Sequence, residues 1–425
     1  MLNKLKPKSE FARNVLTLMT GTTIAQAIPI AISPILTRIY TPEDFGMFAL
    51  YMSVASIFSV VATGGYEHAI MLPKKDSDAL HLVVLSLLIT FVISLFILCI
   101  FFVFNENIAD FLGNKEISNW LYFVPLTVFL TGVYQSFNYW TNRNKEYKAL
   151  ALSKVTQSST TVVSNLGMGF SNLGGLALIF GTILGQILST ILLTRHNIPL
   201  NIKSIYKIKL IALFRKYIDF LKYSTSSSIL NSLSFNLFSI LLSKLFSSSI
   251  LGFYHLVYRI LTLPSTLIGS SISQVYFEES TQQKKQYGNN KIIFMIMLKR
   301  LSVISLLIYL PMYFYIEDLM IFIFGEKWKI SGEIAKILIP LMFIRFVSSI
   351  LSSTLTTYEK QKSGLLINFL LALNVVVLVS IAYIYNLDYV SFFYFYMIIS
   401  SLLYFIFLFY YYELSKGENN ETIVD

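Results

Sequence analysis

The sequence predicts an all-α integral membrane protein, with twelve transmembrane helices in two pseudo-symmetric lobes of six around a central cavity. Three observations predict the class. Of 425 residues, 55% are hydrophobic and only 13% are charged, against roughly 25% charged in a soluble protein. The apolar residues gather into runs about as long as a bilayer is thick, which takes about 20 residues of helix. The basic residues fall between those runs and mostly on one side of them, as topology requires. A soluble enzyme is excluded, because so few charges cannot clothe a water-facing surface. A disulfide scaffold is excluded too, since Cys99 is the single cysteine. The net charge of +10 is explained by topology, without nucleic acid.

The candidate spans, in order, are 14–38, 44–66, 79–104, 118–140, 149–168, 173–195, 220–245, 249–273, 293–315, 333–356, 363–386 and 389–412. The first follows a basic start (Lys4, Lys6, Lys8, Arg13). It continues for a full bilayer width with no small-residue cleavage site, so it reads as a spanning helix rather than a cleavable leader. Thr41-Pro42-Glu43-Asp44 opens the second with a helix-start pattern: Thr as N-cap, Pro in the first position and acids on the positive end of the dipole. The third and twelfth are almost wholly apolar, whereas the fifth and seventh are rich in Ser and Thr.

With the N-terminus inside, only Arg38, Lys115, Lys244, Lys327 and Lys329 fall in outer segments. Lys154, Arg259, Lys336 and Arg345 fall within spans, and the rest of the 33 Lys and Arg lie inside. Both termini are therefore expected in the cytoplasm. The longest outer connection, 316–332, reads as partly re-entrant or interfacial. The longest inner one, 196–219, alternates Ile202, Lys203, Ile205, Lys207, Ile208 and Lys209, a pattern for an amphipathic helix on the anionic inner leaflet. The expected organisation is a first lobe at 1–200, a linker at 201–219 and a second lobe at 220–425.

An internal repeat supports two lobes. An offset of 206 residues pairs Leu36, Arg38, Tyr40 and Gly46 with Leu242, Lys244, Phe246 and Gly252. It also pairs Thr20, Gln26 and Ser33 with Ser226, Ser232 and Ser239. Two halves of six spans share one topology, so their relating axis runs along the membrane normal, as in rocking transporters. The first span carries Thr20, Thr23, Gln26, Ser33 and Thr37 at helical spacing. The seventh carries Thr225, Ser228, Ser232, Asn236, Ser239 and Ser243. Such stripes serve either as glue between helices or as the wall of a wet cavity. Pro29 and Pro34 mark either a static kink or a bend that changes in use.

Intramembrane ions are the sharper signal. Lys154, His255, Arg259 and Arg345 place positive charge within the bundle, where it is expensive and usually functional. His255 and Arg259 share one helical face. The notable acid is Glu67, at the inner end of the second span. An excess of buried cations suits an anionic passenger. The chain has no GxxxxGK[ST] loop, no HExxH and no CxxC, and its four histidines are scattered, so no cofactor or metal is expected. A membrane glycosyltransferase or polymerase would depend on outer acids such as Glu43 and Asp44, which the helix-start pattern already accounts for.

Beyond these physical features, LTRIYTPEDFGMFALYMSV (36–54) and YEHAIMLPKKDSDA (66–79) resemble the amino-terminal signature of the bacterial polysaccharide biosynthesis proteins. LGFYHLVYRILTLPSTLIGSSISQVYFEES (251–280) and FGEKW (324–328) resemble later motifs of the same family. These are Wzx-type flippases of the multidrug/oligosaccharidyl-lipid/polysaccharide exporter superfamily. Gly65 stands where the family often has a basic residue. The resemblance implies passage of undecaprenyl-diphosphate-linked sugars across a bacterial cytoplasmic membrane for O-antigen, capsule or similar polysaccharides, alongside a polymerase and a chain-length regulator. Arg38, Glu67, Arg259, Gln274 and Trp328 lie in matching motifs. On this reading Arg259, with Arg38 or Arg345, meets diphosphate. Gln26 and Asn236 meet sugar hydroxyls, Lys154 and His255 are further substrate-binding candidates, and Glu67 is the candidate for coupling. The alternative within the superfamily is a cation-coupled drug exporter, whose cavity would be more acidic.

Overall fold

The computed structural model describes residues 10–171, 173–197 and 205–417. Lys4, Lys6, Lys8, Ile202 and Lys203 of the sequence reading lie outside them. The described residues fold as helices and their connections. In the first half these are α1 (Glu10–Ile39), α2 (Pro42–Ser59), α3 (Tyr66–Ala69), α4 (Asp76–Leu112), α5 (Ser118–Leu121), α6 (Val124–Arg143), α7 (Tyr147–Met168), α8 (Gly175–Asn197) and α9 (Lys207–Lys216). There follow α10 (Thr225–Leu245), α11 (Ser248–Leu261), α12 (Ser270–Tyr287), α13 (Lys291–Phe324), α14 (Lys329–Leu351), α15 (Ser353–Thr357), α16 (Gln361–Ile384) and α17 (Tyr389–Ser415). Widened π turns occupy Phe220–Ser224, ahead of α10, and Ser265–Gly269, ahead of α12.

Among the described residues, 8 helices are long and apolar enough to cross a membrane, or 9 if the bent pair Lys115–Leu121 and Val124–Arg143 counts as one span. Twelve were expected, and the shortfall has a physical reason. α2 is 18 residues long and carries Glu43 and Asp44 in its first turn, while α11 is 14 residues long. α7 carries Lys154, Gln157 and a run of Ser and Thr. α7 packs against both α1 and α8, and α2 packs against α6, α8 and α10, so neighbouring helices supply what lipid could not. The longest spans overshoot the bilayer. The 37 residues of α4 extend about 55 Å at 1.5 Å per residue, against a hydrocarbon core of about 30 Å.

Local chemistry fixes the ends. Thr41 caps α2 as the sequence pattern requires. Its N–H donates to Asp44 Oδ2 at 2.8 Å, and the Asp44 N–H donates back to Thr41 Oγ1 at 3.2 Å, with Pro42 in the first turn. α4 ends at Gly113, whose φ of 77° gives the left-handed cap. α1 runs through Pro29 and Pro34 without a break in the helix.

The segment expected to be re-entrant proves to be helix. α13 continues unbroken to Phe324 before a short turn, Glu326–Trp328, leads into α14. Its apolar residues extend the periodicity of the ninth span, so no hairpin is needed. The inner connection forms the helix α9 at its second half. Leu213 is buried, and Leu210 and Phe214 pack beside it on a core that includes Tyr66, Ile70, Leu82 and Val83. Lys209 Nζ donates to Ser77 at 2.8 Å and pairs with Asp78. Arg143 clamps the neighbouring turn through the carbonyls of Ile70, Met71 and Pro73 and the Asp76 carboxylate.

The chain divides into compact units at Met1–Leu251 and Gly252–Asp425. By this measure α10, which the repeat assigns to the second half, belongs with the first unit. The first unit is built on close helix contacts: a Cβ on Gly21 of α1 would meet Ala151 Cβ of α7 at 2.4 Å. The second unit is built around α14, whose apolar window is 67% buried, against 22% for α13, α16 and α17.

Candidate functional site

The second unit carries the most distinctive charge. Arg345 extends from α14, the central helix. Its Nη2 donates to the Tyr258 hydroxyl of α11 at 2.8 Å, and its guanidinium lies 5.2 Å from the same ring. Tyr254, Tyr396 and Tyr404 are its other electrostatic neighbours. The Tyr254 and Tyr396 hydroxyls share a hydrogen bond, and Tyr254 stacks on Phe393 with ring centres 5.8 Å apart. Among the described residues no carboxylate lies within ion-pair distance of Arg345. Arg345 is half-buried, and a cation drawn inside a bundle is usually held by an acid. This one is held by phenols, which fix its direction and leave its charge uncompensated. An incoming anion would find it oriented and unneutralised.

The helices dictate this grouping. Tyr254 and Tyr258 are four apart on α11, and Tyr396 and Tyr404 are eight apart on α17, so each pair lies on one face. α14 packs against α17, and Arg345 reaches the tyrosines of both neighbours. His255 and Arg259 lie on α11 one residue on from Tyr254 and Tyr258, about 100° round the helix, and are electrostatic neighbours of each other. Both are half-buried. No hydrogen bond or ion pair holds the Arg259 guanidinium among the described residues.

The remaining expected residues are dispersed. Gln26 and Arg38 are exposed on α1, where Ser33 and Thr37 are buried and bond to the Ile30 and Pro34 carbonyls of their own helix. Lys154 of α7 does not reach outward to the membrane edge, because its Nζ donates to Thr22 of α1 at 3.1 Å. Asn236 of α10 bonds back to the Ser232 carbonyl at 2.9 Å. Glu67 lies on α3, where it accepts a hydrogen bond from Thr63 and faces His68 at 3.8 Å. Gln274 is exposed on α12. Trp328 is fully buried with its ring centre 5.8 Å from Phe253, which makes it part of the packing. Asp44 is committed to the cap of α2 and is not available as an outer catalytic acid.

Gly65 explains itself in the same way. Its φ is +76°, and a Cβ there would come within 2.9 Å of Thr225 Oγ1. The position now needs a residue without a side chain. Sequence reasoning missed the tyrosines around Arg345. Tyr254 and Tyr258 each immediately precede or nearly flank a candidate cation on α11, and that is the one signal that could have found them.

The fold defines the class. Over 95% of this chain and 90% of the other, the structure matches the lipid II flippase MurJ in an inward closed conformation with a TM-score of 0.71 at 12% identity. It also matches an inward-facing multidrug resistance MATE family transporter of the MOP superfamily with a TM-score of 0.67 at 13% identity, over 94% of this chain and 96% of that one. The chain is a multi-pass membrane protein with the MATE and MurJ fold. The model of the family described as "Polysaccharide biosynthesis protein" matches residues 35–333, and the chain belongs to that family. It is 23% identical over 72% of its length to the succinoglycan biosynthesis transport protein ExoT of Rhizobium meliloti. It is 22% identical over 56% of its length to the teichuronic acid biosynthesis protein TuaB of Bacillus subtilis. It is 22% identical over 76% of its length to the lipopolysaccharide biosynthesis protein WzxC of Escherichia coli, covering 64% of that protein. The matches cover 60% of ExoT and 49% of TuaB.

Proposed function

We propose that this protein is a flippase that carries polyprenyl-diphosphate-linked oligosaccharide units across the bacterial cytoplasmic membrane by alternating access, with both termini in the cytoplasm. The observation that carries the proposal is that tyrosines of the second unit hold Arg345 with no carboxylate within ion-pair distance among the described residues. Family membership supports polysaccharide biosynthesis as the setting.

The cargo has parts with different solvation needs. Its diphosphate and sugars cannot enter hydrocarbon unaided, since stripping water from ions and hydroxyls costs many kcal/mol. Its polyprenyl tail is at home in lipid. Arg345 and Arg259 offer the diphosphate charge-assisted bonds, which a planar guanidinium makes two at a time. The tyrosines offer rings and hydroxyls to sugar. Gln26, Arg38, Lys154 and Asn236 of the first unit are separate candidates for contact with the cargo, and Glu67 is the proposed carrier of a coupling proton. The product would pass to a polysaccharide polymerase on the outer side.

The test is flipping of a fluorescent lipid-linked oligosaccharide in vesicles, with and without a pH gradient. Arg259→Ala should slow flipping at least tenfold with membrane insertion intact, and Arg259→Lys should recover part of it. Full activity in Arg259→Ala would remove that residue from the site. Flipping that ignores the diphosphate and proceeds equally with a neutral lipid-linked sugar would overturn the whole reading.

A further inference from the structure

A second charged feature lies elsewhere in the second unit. A cleft of about 310 Å³ opens between α13, α14 and α17, and Tyr313, Glu317, Glu333, Lys336, Pro340 and Tyr394 line it. That size is at the small end of ligand sites. Lys336 Nζ pairs with Glu317 Oε2 at 3.0 Å, and both side chains remain partly exposed. Glu333, one turn before Lys336, has no hydrogen bond or ion pair among the described residues. The Tyr389 phenol lies close enough to feel its charge. Pro340 lies within α14 and has no amide hydrogen, so the Lys336 carbonyl four residues earlier lacks its helical donor. α13 and α14 close tightly behind the cleft, where a Cβ on Gly332 would come within 2.9 Å of Glu317 Cα.

The depth of the cleft follows from helix length. The 34 residues of α13 extend about 51 Å, which leaves about 10 Å of overhang beyond each side of the hydrocarbon core. Glu317 is seven residues from Phe324, where α13 ends, or about 10 Å along the axis. With α13 centred on the bilayer and normal to it, Glu317 would lie near the boundary between tails and headgroups. Around it the outer surface is apolar: Leu310, Phe314, Phe322 and Ile398 are all exposed. A carboxylate without a partner, beside a carbonyl that lacks its regular helical donor, favours a ligand that brings N–H donors, which lipid tails cannot give.

We propose that this cleft binds the headgroup of a phospholipid with a primary ammonium, of the phosphatidylethanolamine class. The ammonium brings three N–H donors and a positive charge to the Glu333 carboxylate and the Lys336 carbonyl. The phosphate next to it meets Lys336 Nζ, which has donors left after Glu317 takes one. Tyr313 and Tyr394 flank the cation with their rings, and the acyl chains run along the exposed apolar face. A choline headgroup has no N–H to give. A glycerol headgroup has no cation and would meet two carboxylates. The same net acidity rejects a diphosphate, so this site is not a second stop for the proposed cargo, and the inference does not rest on that cargo.

The test uses the purified full chain, stripped of lipid in detergent, with native mass spectrometry reading retained lipid. Phosphatidylethanolamine, its mono- and dimethyl derivatives, phosphatidylcholine and phosphatidylglycerol are titrated with identical acyl chains. Retention should fall with each methyl added, about tenfold from ethanolamine to choline, the value of a hydrogen bond to a charged group. Glu333→Gln should flatten the methylation series, bringing ethanolamine lipid down to the choline level, and should not weaken retention of glycerol lipid. A flat methylation series on the wild-type chain, or glycerol lipid retained as well as ethanolamine lipid, would overturn the proposal whether or not the variant folds.

Discussion

Replacing Arg345 with Met should separate stability from transport. The guanidinium donates one hydrogen bond to the Tyr258 hydroxyl at 2.8 Å and lies 5.2 Å from its ring. A hydrogen bond to a charged group contributes about 1.5–3 kcal/mol, and a partly desolvated cation–π contact about 1–2 kcal/mol. Against this stands the desolvation of an ion, about several kcal/mol after relaxation, with no carboxylate to offset it. The terms nearly cancel. Met fills a similar volume with no charge to desolvate, so the melting temperature in detergent should stay the same or rise by a few degrees. Flipping should fall by about tenfold to a hundredfold, the cost of one lost charge-assisted bond to phosphate. Tyr258→Phe, which keeps the ring and removes the hydroxyl, should lose less. The assays are a thermal melt of the purified protein and flipping in vesicles from the same preparation. A melting temperature lowered by ten degrees or more with flipping unchanged would refute the reasoning, since Arg345 would then be a strut.

Two further outcomes test the local structure. Thr41→Ala removes the side-chain half of the α2 cap, leaving the backbone N–H to Asp44 in place, and should cost about 1 kcal/mol, seen as a lower melting temperature, while Thr41→Ser should keep most of it. Gly65→Ala must hold a left-handed backbone and push against Thr225, a cost of about 1–2 kcal/mol for the backbone alone. Its melting temperature should drop, and Gly65→Ala combined with Thr225→Ala should drop less than Gly65→Ala alone.

What could be read beforehand depended on the range of the interaction. The cap at Thr41 was legible because its partners lie within three residues, and the class was legible because bilayer thickness sets helix length. Span number was less legible: hydropathy reports contact with lipid, and α2, α7 and α11 are short or polar helices. The continuation of α13 was missed because charges at Glu317 and Asp318 look like the start of a loop, when they lie on a helix longer than the membrane is thick. Arg345 was legible as a buried cation. Its partner was not, because Tyr258 is 87 residues away and the meeting depends on how α11 packs beside α14.

The π turn at Ser265–Gly269 has a consequence for how this chain tolerates change. A widened turn holds one residue more than the regular helix needs. Losing a residue there lets the ladder tighten in place, while losing one elsewhere in a span turns everything after it by about 100°. Ser265–Gly269 is thus a slack point, where the length of the chain can vary without the faces downstream trading places.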